Sequence, residues 1–117
     1  MHELSVSSAV VDTAVRHAGG RKVSVVHLRV GQLRQVVPDS LTFYFGLVSG
    51  GTVCEGARLE LELVPAVLRC TPCARRWAID VPAFRCPTCG GAHVAVLAGN
   101  ELEVESIEVE EDIPCIA

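Results

Sequence analysis

Aromatic residues are scarce in this chain, with one Trp, one Tyr and three Phe among 117 residues. With so few rings the core must be largely aliphatic, and there is little material for the stacked aromatic platforms that hold single-stranded nucleic acid. Positive charge is also short. Ten Lys and Arg face fourteen Asp and Glu, a formal net charge of −4, which disfavours a broad phosphate-binding surface and leaves room only for a local basic patch. Long apolar runs are missing as well: hydrophobic residues make up 50% of the chain, yet no run approaches the roughly 18 residues of a membrane span. The first residues lack the basic stretch, apolar core and small-residue cleavage site of a secretory signal, which predicts a cytoplasmic chain with reduced cysteines. A chain of this length has material for one modest core and a small appendage.

What is present is patterned. From Leu4 to Ala18, Leu4, Val11, Val15 and Ala18 recur on one helical face, and Gly19-Gly20 stops the helix. "KVSVVHLRVG" alternates through Val26, Leu28 and Val30, with His27 and Arg29 between them, and reads as a half-buried strand. After Pro38, Asp39 is the expected N-cap of a second helix with Leu41, Tyr44, Phe45 and Val48 on its core face and Gly50-Gly51 as the stop. "RLELELV" alternates through Leu59, Leu61 and Leu63 until Pro65. A similar alternation returns in "NELEVESIEVEED", where it slips between Ser106 and Ile107, which predicts a β-bulge; its acidic face is expected simply to be solvated. Between these last two strands, Ala66 to Asn100 has a different character, with four of the six cysteines and few residues able to build a core. The expected fold is α+β: two helices on a small three-stranded mixed sheet, with an inserted zinc-ribbon-like four-cysteine module. The corresponding domains are 1–64 with 101–117, and 65–100.

"CTPC" at Cys70–Cys73 and "CPTCGG" from Cys86 through Cys89 to Gly91 are two CxxC turns separated by twelve residues. Each turn lets two thiolates reach one ion, Gly90-Gly91 permits backbone conformations a Cβ would hinder, and a hairpin through Trp77, Ile79 and Val81 fits the short spacing. Four thiolates form a closed structural zinc site and leave no position for water or substrate. Disulfides, a redox pair and a rubredoxin-like iron share the pattern as alternatives. Cys54 reads as a small buried apolar side chain and Cys115 as a tail thiol.

The start, "MHEL", carries a second signal. A bulky second residue disfavours removal of the initiator methionine, so the Met1 amine, the His2 amide nitrogen and His2 Nδ1 can close adjacent five- and six-membered chelate rings. That planar half-cage suits Ni(II) or Cu(II) far better than zinc, and its fourth corner is open. A solvated terminal histidine is the bland alternative.

"MHEL", the amphipathic helix, the strand into "VGQL", the Pro38-led helix, "LELELVP", the paired CxxC motifs and "GNELEVESIEVEE" together resemble the HypA/HybF family of hydrogenase nickel incorporation proteins. The resemblance spans nearly the whole chain. It implies a nickel metallochaperone, not an enzyme, with Ni(II) as transient cargo and Zn(II) as structural metal. His2 matches the family's nickel ligand, Glu3 its neighbouring acidic residue, and Cys70, Cys73, Cys86 and Cys89 its zinc ligands. The implied partners are a HypB-type GTPase and the precursor of a [NiFe]-hydrogenase large subunit, with urease maturation proteins and a second copy of the chain as further candidates.

His93, the only histidine in the cysteine module, is a candidate for the fourth nickel corner if the two lobes fold together, against the plainer reading of an exposed turn residue. Arg69, Arg75, Arg76 and Arg85 are candidates for acidic contacts or for plain solubility. The competing class is a zinc-ribbon module that binds nucleic acid or a transcription partner; net acidity opposes it, and Trp77 and Phe84 are as readily explained by packing on the hairpin. No nucleophile with a base and an orienting partner is evident, so an enzyme ranks last.

Overall fold

Helix α1 (Glu3–Ala18) opens the chain, followed by β1 (Val23–Gly31), a single 3-10 turn at Gln32–Arg34, α2 (Pro38–Val48) and β2 (Arg58–Val64). The chain continues as β3 (Ala66–Cys70), β4 (Arg76–Ile79), β5 (Val94–Ala98) and β6 (Leu102–Val109). The computed structural model describes residues 3–79 and 84–110. It is α+β, with two three-stranded sheets ordered β2-β1-β6 and β4-β3-β5. β1 and β2 are parallel, as strands joined through a helix can be, and β6 returns from the second sheet to pair antiparallel with the other edge of β1. Among the described residues no helix is long and apolar enough to cross a membrane.

One cluster forms the first core: Val6, Val10, Val11, Ala14 and Ala18 from α1, Leu41 and Phe45 from α2, Val23, Val26, Leu28 and Val30 from β1, and Cys54. Cys54 is fully buried, as its small apolar character predicts, and burial pushes its thiol pKa up against the hydrogen bond from Thr52. Of the predicted face of α1, Val11 and Ala18 are buried as expected, but the face is displaced at the other two positions. Leu4 and Val15 are 50% and 37% exposed, whereas Ser7 and Ala14 are completely buried. Periodicity weighted by large apolar residues misses this because α2 packs closely here: the Ser7 hydroxyl donates to Leu41 O at 3.3 Å, and small side chains permit that approach.

Asp39 is likewise not the cap of α2. Val37 is the N-cap without a side-chain hydrogen bond, Pro38 begins the helix, and Asp39 sits in its first turn, where a carboxylate still complements the helix dipole. Leu41 and Phe45 are buried, while Tyr44 and Val48 are half-buried at the margin. In β6 the predicted bulge is present: His27 pairs with Ser106 and Leu28 with Val104, leaving Glu105 as the extra residue. The extra residue restores Leu102, Val104, Ile107 and Val109 to one core-facing row, all packed against the cluster. The acidic face is not simply solvated, because Glu103 and Glu108 find cross-strand partners on β1. Arg29 bridges Glu103 at 3.0 Å and Glu62 at 3.2 Å, and His27 Nε2 donates to Glu108 at 2.6 Å. These pairs are exposed and each contributes at most about 1 kcal/mol.

The second sheet is larger than the hairpin expected from the sequence. β3 and β4 do form it, but β5 adds a third strand on the other side of β3. Alternation in "AVLRC" and "VAVLA" is masked by alanine, so the period-two signal is weak there. Trp77 is half-buried and Phe84 is 43% exposed, so only Trp77 packs partly on the sheet; Val81 lies outside the described residues.

Candidate metal centre

The two CxxC turns are built alike. Cys70 O accepts from Ala74 N–H and Cys86 O from Gly90 N–H, both at 2.8 Å; Cys70 N–H donates to Arg75 O at 2.8 Å and Cys86 N–H to Gly91 O at 3.0 Å. Closing each turn requires left-handed backbone four residues after its first cysteine, met by Gly90 at φ +70° and, with strain, by Ala74 at φ +58°. The repeated turn aims two thiols from each side at one point. Cys70 and Cys89 Sγ stand 3.6 Å apart, Cys73 and Cys86 Sγ 3.5 Å, and all four sulfurs lie within 4.8 Å of one another. Four thiolates about 2.3 Å from a tetrahedral zinc would be separated by roughly 3.8 Å, so the set fits that ion; a disulfide would need about 2 Å.

Burial and backbone donors divide the thiols. At Cys70 the backbone N–H of Cys73 favours the thiolate, but burial and the thiol hydrogen bonds with Cys73, Cys89 and Cys86 outweigh it and push the pKa up to about 12. At Cys86 burial acts the other way from the net result: backbone N–H groups of Cys89 and Thr88, with the thiols of Cys73 and Cys89, hold it down to about 6. Four thiolates this close repel one another, and a divalent cation is what would let all four ionise. Cys70 and Cys86 are buried while Cys73 and Cys89 are exposed, so one side of the site is open to solvent although its coordination is closed.

The N-terminal candidates are placed less completely. Met1 and His2, like Cys115, lie outside the described residues. Glu3 is the first residue of α1 and half-buried. α1 runs along β6, with Val6 and Val10 beside Leu102 and Val104, and Thr13 and His17 beside Val104 to Ile107. Glu3 therefore stands at the end of the first sheet where the chain crosses to the second. That crossing is tightly held: Gly31 N–H donates to Glu101 O at 2.6 Å, Leu33 N–H to Gly99 O at 2.7 Å, Arg34 Nε to Asn100 O at 2.9 Å and Ala66 N–H to Gln32 Oε1 at 2.8 Å. A Cβ on Gly31 would come within 2.0 Å of Gly99 O, so only glycine allows the contact. Periodicity gave no sign of this junction, whose one sequence trace is glycine at both strands' ends.

His93 is exposed at the cysteine end of the second sheet, where its carbonyl accepts from Thr71 N–H at 2.9 Å. β5 separates it from the junction by five residues, about 17 Å of strand, so this arrangement does not bring it beside the start of α1. Of the four arginines, Arg85 donates to Gly90 O at 3.1 Å and braces the second turn. Arg69, Arg75 and Arg76 are exposed and, among the described residues, have no carboxylate partner.

Comparison with known proteins adds an independent line. The family model described as hydrogenase/urease nickel incorporation, metallochaperone, HypA matches residues 1–109. The hydrogenase maturation factor HypA of Streptomyces avermitilis is 49% identical over 116 residues, covering 95% of this chain and 88% of that protein. The protein of the same name from Roseiflexus sp. is 46% identical, covering 97% and 96%. The solution structure of the Ni metallochaperone HypA from Helicobacter pylori superposes with a TM-score of 0.69 at 23% identity, over 96% of this chain and all of that one; at that identity the likeness concerns the fold.

Proposed function

We propose, because this chain belongs to the HypA family of hydrogenase and urease nickel-incorporation metallochaperones, that it carries Ni(II) and passes it to the precursor of a [NiFe]-hydrogenase large subunit. His2, with the Met1 amine and the intervening backbone nitrogen, binds the cargo, and Glu3 stands ready as an oxygen ligand. Cys70, Cys73, Cys86 and Cys89 hold zinc, which closes the second lobe and takes no part in transfer. The lobes correspond to 1–64 with 101–117, and to 65–100. The protein acts in the cytoplasm with a GTPase partner and catalyses no reaction of its own.

The observation that carries this reading is the convergence of four thiols on one point in a chain of this family. Four thiols converge within 4.8 Å and would saturate a tetrahedral ion, which suits permanent retention. The proposed nitrogen donors of Met1 and His2 would leave a corner of a planar ion open, which suits ligand exchange with an acceptor. His93 would complete that plane if the two lobes fold together, or from another chain.

Nickel titration of zinc-loaded protein tests the reading. His2→Ala abolishes tight nickel binding, one residue added before Met1 impairs it, and zinc content stays the same in both. Full affinity in the extended protein would overturn the amine chelate and leave His2 alone as ligand. Full affinity in His2→Ala would overturn the N-terminal site.

A further inference from the structure

The second sheet has two unlike faces. Along β3, Ala66, Leu68 and Cys70 are buried and alternate with half-buried Val67 and exposed Arg69. Directly opposite Arg69 stand Arg76 on β4 and Ala95 on β5; opposite Val67 stand Ala78 and Ala98. Directly opposed residues share a face, so this face carries two neighbouring guanidinium groups above a floor of small side chains. Trp77 and Val96 pair with Leu68 and belong to the other face.

Like charges directly opposite one another destabilise a sheet, and among the described residues neither Arg69 nor Arg76 is neutralised. Residues 65–100 hold four Arg and one Asp, a formal +3 that zinc held by four thiolates would lower to +1, while the rest of the chain is −7. Asp80 is that single acid and lies outside the described residues. The two parts of the chain therefore differ in charge, and two of the four arginines share a strand face on which, among the described residues, they have no carboxylate partner.

We infer that this face docks an extended acidic segment of a partner protein, the carboxylates of which pair with Arg69 and Arg76. The inference deepens the carrier reading, in which the docked protein is the one that accepts the cargo. Carboxylates two residues apart in an extended segment lie about 7 Å apart on one side, a separation that two splayed arginines can bridge with paired N–H···O bonds. Ala95 and Ala78 leave the segment room to lie flat. Nucleic acid fits less well: the lone Trp is on the opposite face, alanines give bases nothing to stack on, and the −7 remainder of the chain repels a long polyanion.

The test uses the zinc-loaded full chain and a short soluble peptide alternating glutamate and valine, followed by amide NMR and fluorescence anisotropy. The peptide shifts the amides of β3 and β4, and Arg69→Glu or Arg76→Glu each weakens binding roughly tenfold with zinc content and spectral dispersion retained. Lys22→Glu, which alters net charge equally but lies outside this lobe, leaves binding nearly unchanged. Equal loss in Lys22→Glu would reduce the effect to bulk charge and overturn the inference. So would binding of single-stranded DNA in place of the peptide, or self-association that the arginine variants abolish while the peptide never binds. His2→Ala separates this inference from the carrier reading, since it loses nickel and keeps the peptide.

Discussion

The two sheets of this protein are stabilised by different means. The first buries twelve side chains in one cluster drawn from both helices, β1 and the loop before β2. In the second, the buried side chains among the described residues are Ala66, Leu68, Cys70 and Cys86, and two of those four are thiols of the metal centre. One sheet has a covering helix layer. The other buries only Ala66 and Leu68 besides the thiols, so burial of apolar area orders the first, and the zinc proposed above would substitute for it in the second.

Removing the metal breaks the comparison most severely. Chelation, or Cys70→Ser, is expected to collapse the amide dispersion of 66–98 while α1, β1, α2, β2 and β6 keep native shifts, because the apparent binding energy of such a zinc site, about 10–16 kcal/mol, is folding energy for the lobe it closes. A second sheet that stayed folded without metal would show that Leu68, Trp77 and Val96 suffice. The reverse experiment is Phe45→Ala. Phe45 is 2% exposed at the centre of the helix-covered cluster, so the expected loss is about 3–5 kcal/mol of stability, read by denaturant unfolding, with zinc content unchanged.

The smallest effect sharpens the comparison where the sheets meet. Glu101 Oε1 accepts from Gly99 N–H at 2.7 Å. Its pKa is lowered by its own backbone N–H, against some burial, and further by Gly99 N–H, the charge of Arg29 and Asn100 N–H. A depressed folded pKa stabilises the protein at pH values above the ordinary carboxylate value, roughly 4.3, and the contribution is lost as pH falls through the lower folded value. The Gly99 amide shift should therefore titrate in acid, and Glu101→Gln should remove the titration while leaving the rest of the spectrum intact. A Gly99 amide indifferent to acid would show that the hydrogen bond does not depend on ionised Glu101.

Strands were most legible where large and charged residues alternate, as in "RLELELV" and "NELEVESIEVEED", and the slip in the latter located the bulge to within a residue. They were least legible where alanine blurs the period, as in β5 and on the α1 face at Ser7 and Ala14. The four thiols were readable because a CxxC turn is local and each pair needs only its own backbone to point inward.

By itself the sequence determined the α+β class, the punctuation of the elements by Gly and Pro, the cysteine cluster and the family, because each rests on short-range pattern or on ordered motifs. Tertiary structure alone decided which face of α1 is buried, that Arg29 and His27 take up part of the acidic strand, and that Arg69 stands beside Arg76 while Arg85 is engaged elsewhere. It also decided the contact of Gly31 with Gly99. Most of these depend on residues dozens of positions apart meeting across a ladder or a helix crossing, and even the nearer pairs, Arg69 with Arg76 and Arg85 with Gly90, are set by strand register and turn closure, which no local periodicity encodes.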